Sequence, residues 1–105
     1  MSKRLNEYVV PSDAIQGEGS FVRVRAVLYG ESKRLAVEVE ALNQAEKVQL
    51  NERLIMEHII AWNWVDDEGQ PLPLPSEDSS VLDRLTGQEM AFLGEALSGD
   101  AARKK

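Results

Sequence analysis

The sequence predicts a small α+β domain, mainly α: a short N-terminal strand, alone or paired in a hairpin, then a long central helix and two shorter C-terminal helices. Three observations lead there. Phe21 to Leu28 alternates β-branched apolar residues with Arg23 and Arg25, Ala45 to about Trp62 runs without Gly or Pro, and two further helix starts follow between Ser76 and Glu89. With 105 residues, 43% apolar and 29% charged content, the chain suits one folded domain. The expected organisation is a flexible N-terminal arm over 1–19, one compact domain over 20–99 and a basic tail over 100–105.

The arm carries Pro11, Gly17 and Gly19 among polar groups, with Tyr8, Val9 and Val10 as its one apolar cluster. FVRVRAVL is the best strand in the chain. After Gly30 the pattern is ambiguous. Leu35, Val37, Val39 and Ala41 alternate as in a second strand, whereas Leu35, Val39 and Leu42 have helical spacing, and periodicity does not decide between them. Asn43 with Glu46 is a helix-start pair, and Val48, Ile55, Ile59 and Trp62 share a stripe on the helix that follows, which would be about 27 Å long. Asp66 to Gly69 has turn composition, and Pro71, Pro73 and Pro75 exclude both helix and central strand, so PLPLP should be extended and docked. A short helix is expected from about Val81 to Leu85. Another starts at Thr86 with Glu89, buries Met90, Leu93 and Leu97, and is capped by Gly99.

The formal net charge is −6, unevenly placed, since residues 31 to 100 hold five basic and fifteen acidic groups. Such a body repels phosphate backbones, so no nucleic-acid partner is expected, and Arg23 and Arg25 read as the solvated face of a half-buried strand. No apolar run approaches the roughly 20 residues of a membrane span. The absence of Cys removes disulfides, Cys-ligated zinc and a Cys nucleophile.

Catalytic and metal motifs are equally sparse. His58 is the single His, and its helical neighbours Leu54, Ile55, Ala61 and Trp62 cannot ligate, while the adjacent Glu57 should point elsewhere; a packed or half-exposed His follows. An EF-hand loop starting at Asp66 would need Gly where Pro71 stands. Gly17-Glu18-Gly19 is half a glycine fingerprint and precedes a strand rather than following one. No nucleophile elbow surrounds any Ser. The expectation is a protein that is not an enzyme, with no cofactor and no metal.

Apolar surface is the more informative signal. Trp62 and Trp64 flank Asn63 at the end of the long helix, where residues two apart cannot both face one core. Either one of them is exposed or it covers PLPLP. Trp62, Trp64, Leu72, Leu74 and Phe92 are therefore the partner-binding candidates, as a large apolar patch beside the tryptophan–proline stretch; the alternative is that they close a small core.

The pattern VRVRAVLYGESKRL, a helix ending HIIAWNWVDDEGQPLPLP, and then SSVLDRLTGQEMAFLGEAL resembles the tail assembly chaperones of long-tailed bacteriophages over about residues 20 to 98. The best-matched stretch is Trp62-Asn63, Asp66-Asp67-Glu68-Gly69 and Pro71-Leu72-Pro73. The resemblance implies a helix over Glu31 to Leu42. It also implies a small protein of the host cytoplasm that binds the tape measure protein, helps recruit tail tube protein subunits and is absent from the mature virion. Self-association into a homo-oligomer is compatible with this. Many members of the family are made in two lengths through a ribosomal frameshift; Arg103-Lys104-Lys105 is compatible with a slippery codon run that would make this chain the short form, and equally with an ordinary basic solubilising tail, which is the reading the residues alone favour. The competing class is a small structural or adaptor protein of a phage tail or other multiprotein complex.

Overall fold

Phe21–Arg25, the centre of the alternating run, is the middle strand of a three-stranded antiparallel sheet in a computed structural model that describes residues 6–98. The elements are β1 (Glu7–Pro11), α1 (Asp13–Gln16), β2 (Phe21–Arg25), α2 (Tyr29–Glu40), α3 (Gln44–His58), β3 (Ile59–Trp62), a 3-10 helix (Ser79–Arg84) and α4 (Gly87–Ser98). The sheet order is β1-β2-β3. This corrects the expectation of one short N-terminal strand or a hairpin made with the residues after Gly30: the partners of β2 come from the segment expected as a flexible arm and from the end of the long helix.

The alternation in β2 explains its place. Val22 and Val24 are fully buried while Arg23 and Arg25 face outward. On one side Val10 stands opposite Val22 and Tyr8 opposite Val24. The loop from β1 to β2 is closed by Ser12 N–H donating to the Ser20 carbonyl at 2.9 Å, and Gly17 and Gly19 take φ of 107° and 84°, which side chains with a Cβ rarely adopt. On the other side Val22 faces Trp62 and Arg23 faces Ala61, with a register shift between Arg23 and Val24. Asn63 prolongs this edge by accepting from Phe21 N–H at 2.9 Å and donating to the Gly19 carbonyl at 3.1 Å.

The long helix was expected to reach Trp62, and it stops at His58. Its start is the expected one: the Asn43 side chain accepts from Glu46 N–H and the Glu46 carboxylate accepts from Asn43 N–H, a reciprocal capping box. Its end follows from tertiary pairing. Ile59 and Ile60 are β-branched and extended; Ile59 pairs with Val24 of β2 while Ile60 falls at the register shift, and one carbonyl freed at the helix terminus, that of Glu57, accepts from the Arg25 guanidinium.

Beyond β3 the chain folds back on itself. Leu72 N–H donates to the Trp64 carbonyl at 2.9 Å around a turn in which the Asp66 carboxylate accepts from both Glu68 and Gln70 N–H. The short helix expected at Val81–Leu85 is a 3-10 helix spanning Ser79–Arg84, capped by Asp78 through Ser80 N–H. Thr86 and Glu89 form the expected reciprocal cap of α4, which lays Leu93, Ala96 and Leu97 against the sheet and α3. The core joins these to Val10, Val22, Val24, Ile55, Ile59, Trp64, Leu72, Val81 and Leu82. Gly99 and the basic tail lie outside the described residues.

Candidate interaction surface

The tryptophan–proline stretch is interior. Trp64 is 1% exposed and Leu72 is buried, while Trp62, Leu74 and Phe92 are half-buried against the core. The inference that Trp62 and Trp64 must face different ways rested on helical spacing. On extended chain, residues two apart share a face. The two indoles are stacked, with centroids 4.7 Å apart and planes inclined by 8°, and Phe92 lies 6.0 Å from Trp64.

Polar atoms around the indoles are equally well placed. Trp62 Nε1–H donates to the Leu72 carbonyl at 3.1 Å. Trp64 Nε1–H donates to Ser12 Oγ at 2.9 Å, Ser12 Oγ donates to Ser20 Oγ at 2.7 Å, and Ser20 Oγ donates to the Gly17 carbonyl at 2.7 Å. This relay ties the aromatic pair to the β1–β2 loop. Gln16 adds a second tie, bonding the backbone of Val65 in both directions and donating to the Glu89 carboxylate. The apolar patch expected beside this stretch is largely packed against the chain's own core. The cleft of about 620 Å³ that borders it is rimmed by Asp66, Asp67, Glu68 and Glu89, which suits water better than an apolar client.

Two aspartates at this end keep their charge more firmly than usual. Asp66 is held below the ordinary carboxylate range by the backbone N–H of Gln70 and then that of Glu68, and Asp78 by the Ser80 hydroxyl and then its backbone N–H.

Apolar surface that no other described residue covers is found elsewhere, on α2 and its flanks. No residue of α2 is buried. Tyr29 is 77% and Val37 74% exposed, Leu28 and Val48 are half-exposed, and Lys33 Nζ sits 5.1 Å from the Tyr29 ring centroid. Leu35, Val39 and Leu42 lie half-buried on the other side. Between α2 and the α3–α4 pair runs a cleft of about 460 Å³ lined by Val27, Tyr29, Leu35, Leu54, Gly94 and Leu97 among others. None of these was singled out as a partner-binding candidate from sequence. The available signal was the helical spacing of Leu35, Val39 and Leu42 combined with Val37 on the opposite side, too much apolar surface for one buried stripe.

His58 is packed, as expected, but Glu57 does not point away from it and Glu31 stands nearby as well. The histidine closes α3 and is 5% exposed, and the nearby carboxylates come from α2 as well as from its own helix. No known family model matches the chain, and comparisons with curated proteins and with solved structures return no match.

Proposed function

We propose that this chain is a tail assembly chaperone of a long-tailed bacteriophage. It acts in the host cytoplasm, shelters apolar segments of the tape measure protein, helps recruit tail tube subunits and leaves before the virion is complete. The observation that carries the reading is α2, a twelve-residue helix with no buried residue and with Leu28, Tyr29 and Val37 uncovered beside an apolar cleft. An amphipathic helix of a client lays its apolar face into such a groove. The acidic body favours solubility while the client is held, because like-charged chaperone molecules repel one another. The motif Trp62-Asn63 to Pro71-Leu72-Pro73 supports the family reading through its likeness, and its role in this chain is to build the core that carries the groove.

Co-expression with the tape measure protein from the same genome tests the proposal. The expected result is a larger soluble fraction of that protein and a complex that survives gel filtration, both lost with the double variant Tyr29→Ser, Val37→Asp. Mass spectrometry of purified particles separates the chaperone from a structural tail component: a stoichiometric copy in mature tails overturns the chaperone reading.

A further inference from the structure

The His58 imidazole sits in a setting common to metal-binding histidines. Its Nδ1 lies 2.9 Å from the Arg25 carbonyl oxygen. A carbonyl only accepts, so Nδ1 carries the hydrogen, and in the neutral ring the lone pair is on Nε2. That Nε2 lies 3.6 Å from Glu31 Oε2, and a carboxylate has no hydrogen to offer it. His58 as a whole is 5% exposed, and it borders a surface cleft. Anchoring one ring nitrogen on a backbone carbonyl is how proteins fix the tautomer and direction of a ligating His.

A third group completes the arrangement. One donor atom each from Glu31, Glu57 and His58 lies within 4.8 Å of both others, at a cleft of about 410 Å³ also bordered by Arg25, Ala26 and Leu28. Donor atoms about 2.0–2.2 Å from a tetrahedral zinc ion stand roughly 3.3–3.6 Å apart. The His58–Glu31 separation matches that spacing, and Glu57, which is exposed, offers a carboxylate oxygen within 4.8 Å of both. The Arg25 guanidinium is turned to the Glu57 carbonyl, and among the described residues it forms no ion pair with either carboxylate.

We propose that Glu31, Glu57 and His58 form a binding site for a divalent transition metal of the zinc type, with the remaining coordination taken by water. One imidazole and two carboxylates suit zinc better than magnesium or calcium, which favour all-oxygen shells. The site joins the first turn of α2 to the last turn of α3, so a bound ion fastens the otherwise uncovered helix to the body of the domain. It is independent of the chaperone reading, since it concerns how α2 is held and not what α2 meets.

Titration of the untagged, chelator-treated full chain with zinc chloride by calorimetry, with the thermal midpoint followed in parallel, decides the matter. The expected result is one ion per chain and a midpoint that rises with zinc. Glu31→Gln should weaken binding by at least about tenfold, because even supporting groups around a metal cost that much, and should abolish the midpoint rise. Glu57→Gln should act in the same direction. His58 is the chain's one His, so its ring nitrogen signals report Nε2 coordination without ambiguity. Both substitutions lie on half-buried or exposed side chains, and an unchanged amide spectrum without metal shows that the fold is kept. Absence of saturable binding, or binding that Glu31→Gln leaves unchanged, overturns the proposal and leaves an imidazolium–carboxylate pair in its place.

Discussion

Trp64 and Tyr29 are both large aromatic residues that follow apolar runs, yet one is 1% and the other 77% exposed. The difference lies in what each backbone does next. After His58 the chain becomes extended and lays Trp62 and Trp64 on one face, and the proline stretch, which cannot join a helix or a central strand, returns across them. After Leu28 the chain turns into α2, and nothing covers the outer side of that helix among the described residues. The same class of side chain is therefore structural in one region and available in the other, and apolar content alone does not distinguish a core from a docking surface.

The sharpest way to break this comparison is Trp64→Ala. Removing a fully buried indole should cost about 3–5 kcal/mol in urea unfolding, and a loss below about 1 kcal/mol would show that the tryptophan–proline stretch is surface after all. Ser12→Ala comes next. It deprives the buried Trp64 N–H of its acceptor and should cost about 1–3 kcal/mol, with Ser12→Thr retaining most of the stability. Asn43→Ala removes the reciprocal cap of α3 and should cost about 1 kcal/mol, visible as faster amide exchange in the first turn of that helix. Val37→Asp should change stability by no more than about 0.5 kcal/mol, while in the co-expression experiment it should reduce the yield of soluble tape measure protein.

The smallest expected effect is electrostatic. Asp66 and Asp78 have pKa values lowered on folding, so the stability they contribute is present above the ordinary aspartate value of 3.8 and is lost as pH falls through the lower folded value. Carboxyl NMR signals of both should titrate below those of ordinary aspartates, and Asp66→Asn should flatten the stability profile only at that acid end.

Local signals were legible where the cause is local. The Asn43–Glu46 and Thr86–Glu89 caps satisfy backbone donors within four residues of themselves, so spacing alone identifies them. The alternation of β2 marked a strand because both of its faces are specified by consecutive residues. The orientation expected for Trp62 and Trp64 differs from the observed one for a related reason. Extending the helix through Ile59 and Ile60 put Trp62 and Trp64 on helical spacing, and no local residue type announces that Ile59 pairs with Val24, more than thirty residues earlier. The Glu31–Glu57–His58 cluster was hidden because Glu31 belongs to α2, an element whose position beside the end of α3 no local spacing encodes.

By itself the sequence determined the acidic surface, the absence of thiol chemistry, the cap positions, the turn at Asp66 to Gly69 and the buried face of β2, all of which follow from composition or from neighbours a few residues apart. Tertiary structure decided that residues 7–11 complete a sheet, that the long helix yields to β3, that Trp64 is interior with Trp62 stacked on it, and that no other described residue covers the outer side of α2. Those outcomes depend on which segment reaches a strand edge or an apolar face first in three dimensions, a competition between distant parts of the chain that local periodicity does not encode.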